Sequence, residues 1–212
     1  MKGAQAVVEC LAEQGIDTVF GYPGGSIITV YDKMYHYGDR LRHVLVRHEQ
    51  GAIHAAQGYA RATGRPGVVI VTSGPGATNV ITGVADAMVD STHVVVITGQ
   101  VGNAMLGTDA FQETDVVGMT GPIDKWTYQI RRSEDVAQAV AKAFHIAGTG
   151  RPGPVVLDFT RDAQVGEADF EYRPCTHIRS YALPAPASET AIDAAARLID
   201  EAVRLPPARE EA

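Results

Sequence analysis

Apolar residues along the chain recur at two different spacings, and the two alternate. Ala4, Val7, Val8 and Leu11 lie on one stripe of a first helix, with Gly15 placed to close it. Residues 17–20 read as a short strand that runs into Gly21-Tyr22-Pro23-Gly24-Gly25, after which Ser26 is expected to cap a second helix. Val44 and Val46 alternate as a strand does. Beyond Arg47-His48 the spacing becomes helical through Ile53, Ala56, Ala60 and Thr63. Residues 67–72 (GVVIVT) and 93–98 (HVVVIT) are unbroken β-branched runs, as expected of parallel strands buried on both faces, and a helix over 77–89 lies between them. Residues 125–130 (KWTYQI) give a fifth strand. A helix over 133–147, started by Ser133, leads through GTGRPG to a sixth strand at 154–159. Six strands alternating with helices predict an α/β fold: a parallel six-stranded sheet with helices on both faces, over residues 1–163. Residues 164–188, with prolines at 174, 184 and 186, read as a linker. Ser188 then starts a helix through 203 with Ile192, Ala195, Ala196 and Ile199 on one face, the opening of a further domain, followed by a charged, proline-broken tail to 212.

Composition narrows the function classes. The 212 residues are 45% hydrophobic, enough for a real core, and a formal net charge of -7 with no basic cluster argues against a nucleic-acid surface. Gln5, Glu9 and Glu13 interrupt the N-terminal apolar residues, so neither a signal peptide nor a membrane span is expected there. Cys10 and Cys175 show no disulfide or zinc spacing, which fits a reducing, cytoplasmic setting.

Four stretches carry candidate chemistry. Glu49 stands where a strand hands over to a helix, the place where open α/β sheets put their ligand crevice; its bland reading is a helix N-terminal charge. The loop at 21–25 is either a simple turn or backbone brought close to a ligand. Ser73-Gly74-Pro75-Gly76 lacks the Lys-Ser/Thr of a phosphate loop and does not match the dinucleotide fingerprint, so a flat, neutral ligand edge suits it better than a phosphate. Phe111 lies in a polar, glycine-flanked loop, where a packing anchor is the plain alternative.

Taken in order, FGYPGGSI, VRHEQGAIHAAQGYARATG, TSGPGATN and GTDAFQE, with GRPGPVVLD downstream, resemble the N-terminal, pyrimidine-binding domain of the acetolactate synthase (acetohydroxyacid synthase) large catalytic subunit family over residues 1–203. RHEQGA, SGPGATN and GRPGP are shared among the pyruvate-oxidase-like thiamine diphosphate enzymes, whereas GTDAFQE followed by Lys125 is more particular to acetolactate synthase. The resemblance implies that Glu49 meets N1' of the aminopyrimidine of thiamine diphosphate and shares a proton with it. It also implies that Pro23, Pro75, Asn79 and Gln112 line the cofactor pocket, that Gly25, Phe111 and Lys125 belong to the substrate site, and that Arg151 contacts FAD. No metal ligand is expected in this chain; magnesium and the diphosphate are expected on a later domain. The implied reaction is decarboxylation of pyruvate and condensation with a second 2-oxoacid, pyruvate or 2-oxobutanoate, in branched-chain amino-acid biosynthesis. The implied assembly is a homo-oligomer, at least a dimer, with room for a regulatory subunit.

The chain departs from the family pattern at Ser26, often alanine, at Gly102, usually proline, and at Trp126, frequently histidine. A larger departure is RLPPAREEA after residue 203, where the family continues into an FAD-contacting middle domain. The expectation is therefore an N-terminal part, inactive by itself. Two alternatives stay open from the residues: another decarboxylase or carboligase of the same cofactor family, and a non-catalytic α/β binding module.

Overall fold

The computed structural model describes residues 1–202. Six parallel strands, β1 (Thr18–Tyr22), β2 (Arg42–Leu45), β3 (Gly67–Val71), β4 (Val94–Gln100), β5 (Trp126–Ile130) and β6 (Val155–Thr160), form one sheet in the order β2-β1-β3-β4-β6-β5. β3, β4 and β6 are buried throughout, which is why their sequences are continuous apolar runs; the edge strands β2 and β5 are only partly covered. One face packs on α1 (Gly3–Glu13), α2 (Ile28–Tyr35) and α7 (Val136–Gly148) through Val19, Ile70, Ile97 and Leu157. The other face packs on α3 (Glu49–Thr63) and α5 (Ile81–Val89) through Phe20, Val69, Val96 and Val156. The α3–α5 contact is close: a Cβ on Gly83 would sit 2.2 Å from Ile53 Cγ2.

Three local expectations change. The helix expected over 77–89 is two pieces, α4 (Pro75–Thr78) and α5, with Asn79 as the C-cap of α4. That break frees the Asn79 side chain from a helix face. Ser26 does not cap α2: Ile27 holds the N-cap position, and the Ser26 hydroxyl accepts from Ser73 Oγ at 2.8 Å. Ser133 likewise starts a 3-10 turn, Ser133–Asp135, ahead of α7 and does not cap that helix by its side chain. Two short helices, α6 (Val116–Thr120) and α8 (Arg161–Val165), were not legible from periodicity.

The first compact unit runs from Met1 to Tyr181 and so extends past residue 163, where the sequence suggested a domain end. The reason is apolar: Phe170, Tyr172, Ile178 and Tyr181 pack against the core, and Lys2 bridges to Glu167. The second unit begins at Ala182 and holds α9 (Glu189–Asp200), capped as expected by Ser188, whose side chain accepts from Ala191 N. The tail expected from 204 to 212 lies outside the described residues.

Candidate functional site

Strand order sets the site. After β1 the chain steps outward to β2, then returns to the other side of β1 to make β3, so the loops leaving the carboxyl ends of β1 and β3 diverge and leave a crevice. Three segments reach that end of the sheet: residues 23–26 after β1, residues 46–49 after β2 and residues 72–76 after β3. Glu49 is the first residue of α3 and only 8% exposed. Asn79 Nδ2 donates to Glu49 Oε2 at 2.8 Å, and among the described residues no donor reaches Oε1. Gly76 borders that carboxylate, since a Cβ there would lie 3.4 Å from Glu49 Oε1 and 2.7 Å from Thr72 Cγ2. Behind the site the Tyr31 hydroxyl donates to Ile70 O at 2.6 Å; burial first, and the Glu49 charge second, push its pKa well above the usual tyrosine range.

The loops are fixed to one another. Gly24 approaches Thr72 so closely that a Cβ would lie 2.6 Å from Thr72 Cβ, and Ser26 N donates to Thr72 Oγ1 at 3.3 Å. Gln164, buried on α8, donates to Ser26 O at 2.7 Å and to Phe159 O at 2.8 Å, while Arg161 reaches Gly25 O at 3.4 Å. Nothing in the sequence pointed to Gln164, which lies in the stretch read as linker. Gly25 itself faces open space.

The structure distributes the remaining candidates as follows. Pro23 and Pro75 stand in the crevice loops, Pro75 at the first turn of α4. Gln112 adopts φ +58°, and its backbone abuts Gly74, where a Cβ would lie 2.7 Å from Gln112 O; this contact joins the 107–113 loop to the β3 loop. Phe111 in that loop is 88% exposed and buries little against the described residues, so it is no packing anchor among them. Lys125 and Arg151 precede β5 and β6, at the amino ends of the strands and therefore at the opposite pole from Glu49. Lys125, implied by the resemblance for the substrate site, thus stands away from the Glu49 of its own chain. Its ammonium donates to Ile146 O, to Thr149 O at 2.8 Å and to the Tyr181 hydroxyl at 2.9 Å, and so caps the end of α7. Arg151 does the same for α5, donating to Met88 O at 3.0 Å, Val89 O at 2.9 Å and Ser91 Oγ at 2.7 Å. Among the described residues, no group of three or more His, Cys, Asp or Glu is arranged to hold a metal ion, and no helix is long and apolar enough to cross a membrane.

The arrangement offers a half-occupied, buried carboxylate beside glycine-rich loops. One oxygen is tied by an amide and the other is left for a ligand donor, which fits an aminopyrimidine edge. Over residues 1–119 the chain matches the family model described as thiamine pyrophosphate enzyme, N-terminal TPP binding domain. It is 52% identical over 202 residues to the acetolactate synthase large subunit of Corynebacterium glutamicum, covering 95% of this chain and 32% of that protein. It is 54% identical over 171 residues to the acetolactate synthase isozyme 2 large subunit of Escherichia coli, covering 81% of this chain and 31% of that protein. The chain thus spans about a third of the length of the curated relatives it matches. Fold, crevice and family match agree: the chain belongs to the thiamine pyrophosphate enzymes, as their N-terminal TPP-binding domain.

Proposed function

We propose that this chain is the pyrimidine-binding part of an acetolactate synthase large subunit, and that Glu49 is the group that activates the cofactor. The observation that carries the reading is the Asn79–Glu49 pair: with Oε2 held by the Asn79 amide, Oε1 is the oxygen free to exchange a proton with a bound ring nitrogen. Thiamine diphosphate supplies, when bound, an electron sink for decarboxylation of a 2-oxoacid. This chain's part is to present one carboxylate oxygen in a fixed direction, with Gly76 beside it. Pro23, Pro75 and Gln112 would line the ring's pocket, and Gly25 and Phe111 would face the substrates, pyruvate and 2-oxobutanoate. The matching relatives are named acetolactate synthases, and that supports this substrate class.

In the same reading, magnesium and the diphosphate are held by the parts of the full-length protein beyond this chain, FAD is bound in the complete enzyme, and the assembly is a homo-oligomer that can take a regulatory subunit. The FAD contact implied for Arg151 would have to use what its α5-capping bonds leave free. The 212 residues by themselves are expected to form no acetolactate. The pyrimidine edge alone offers a few hydrogen bonds worth roughly 0.5–1.5 kcal/mol each, too little to hold the cofactor without its metal-bridged anchor. The test compares full-length wild type with Glu49→Gln: exchange of the cofactor's C2 proton and acetolactate formation should both fall at least about a hundredfold, the lower end for a positioned acid/base group. Wild-type exchange in the variant would return Glu49 to a helix-terminus charge.

A further inference from the structure

The loop that carries Phe111 and Gln112 is built around a single side chain. Glu113 accepts from the backbone N–H of Gly107, of Thr108 at 3.1 Å and of Ala110 at 3.2 Å, using both carboxylate oxygens. Its own N–H donates back to Ala110 O at 2.9 Å. Ala110 and Glu113 are therefore bonded to each other in both directions, and Phe111 and Gln112 are the two central residues of the turn they close. Gln112 has φ +58° in the second central position, where glycine is the usual occupant, and Asp109 and Gly107 also have positive φ. Backbone this unusual, in a loop with an 88% exposed phenylalanine at its tip, needs an internal anchor to persist. The exit of the loop is held as well: Gln100, buried at the carboxyl end of β4, donates to Thr114 O at 2.8 Å.

We propose that Glu113 is a positioning residue: its carboxylate clamps residues 107–113 so that Phe111 and Gln112 stand in one fixed pose over the crevice. This rests on the reading of Phe111 as a substrate-facing residue, but the clamp itself can be tested without it. A carboxylate is required because it accepts with two oxygens from N–H groups that converge from three residues. An amide has one acceptor and would turn its own NH2 against one of those donors. The Gly107 N–H first, with the other loop amides, holds the Glu113 carboxyl below the usual glutamate range. The clamp is accordingly present at neutral pH and is lost as pH falls through that lowered value.

In the 212-residue chain, the amide resonances of Gly107, Thr108 and Ala110 should move together with one apparent pKa below the ordinary glutamate value. Glu113→Gln should abolish that titration while the sheet amides stay in place. Chymotrypsin should then cut after Phe111 at least about tenfold faster, because cleavage requires the turn to open. In the full-length protein the same variant should raise the KM for 2-oxoacid through Phe111 and, through Gln112, the cofactor concentration needed for half-maximal activity. Loop amides that do not titrate with Glu113, or cleavage after Phe111 that is unaffected by the substitution, would overturn the clamp. A loosened loop with an unaltered KM would overturn the positioning role, and would leave the assignment of Glu49 standing.

Discussion

Asn79 donates its side-chain amide to Glu49 at 2.8 Å across thirty residues of sequence, from the C-cap of one short helix to the first turn of another. The pair exists because the expected helix over 77–89 breaks at residues 79–80, which lets the Asn79 side chain leave the helix axis and reach across the crevice.

Replacing Asn79 by alanine leaves a nearly buried carboxylate oxygen without its donor. We expect a stability loss of roughly 1–3 kcal/mol by chemical denaturation of the chain. Asn79→Asp should be worse at neutral pH, since it opposes two carboxylates, and should recover toward the Asn79→Ala value in acid. Equal stability of the aspartate variant and wild type at pH 7 would show that the pair is not formed in solution.

Lys125 should matter for stability and little for chemistry. Its ammonium satisfies carbonyls at the end of α7 and the Tyr181 hydroxyl, so Lys125→Ala is expected to cost roughly 1–3 kcal/mol in the melting of the chain. In the full-length protein the variant's KM for 2-oxoacid should stay within about twofold of wild type, as expected of a group outside the site. A large rise in KM with normal stability would restore the substrate-site role that the placement argues against.

Two carboxyl groups run against the usual acid behaviour. Burial raises Asp158 to about 6, partly offset by hydrogen bonds from Gln129, Thr98 and Gln100, and burial raises Asp124 to about 6 in the same way. A carboxyl whose folded pKa exceeds its unfolded value binds more protons when folded, so its contribution to stability increases as pH falls from about 6 toward about 4. The effect is on the order of 1–3 kcal/mol per group. Denaturation curves at pH 4.5 and 7 should therefore show a smaller acid loss in wild type than in Asp124→Asn. An identical pH difference in the two proteins would rule the Asp124 contribution out.

Gly76 tests the crevice wall. A Cβ at that position would meet Thr72 Cγ2 at 2.7 Å and approach Glu49 Oε1 at 3.4 Å. Gly76→Ala should lower stability by roughly 1–3 kcal/mol through overpacking. In the full-length protein it should weaken cofactor affinity more than it lowers turnover at saturating cofactor. Unchanged affinity would mean that the ring does not lie against this loop.

The sequence by itself determined the six strands, most of the long helices and the covering of the sheet on both faces. A parallel sheet covered on both faces must be written as contiguous apolar runs, and helices that cover it must be written with apolar stripes, so β3, β4, β6 and α7 were plain from period alone. It also placed Glu49 at a strand's carboxyl end, because the change of period at Arg47-His48 is a local signal. One further piece was within reach: Lys125 precedes its strand whereas Glu49 follows its own, and in an all-parallel sheet those positions lie at opposite poles. Motif similarity pointed Lys125 to the substrate site, whereas its place in the sheet points to the end of α7. What only the tertiary structure decided were contacts between segments far apart in the chain. The Asn79–Glu49 bond, the approach of Gly74 to Gln112 and the hold of Gln164 on Ser26 join residues 30, 38 and 138 apart. Hydrogen-bond partners of this kind leave no period in the sequence, since any polar residue reads alike until strand order brings its partner within about 3 Å.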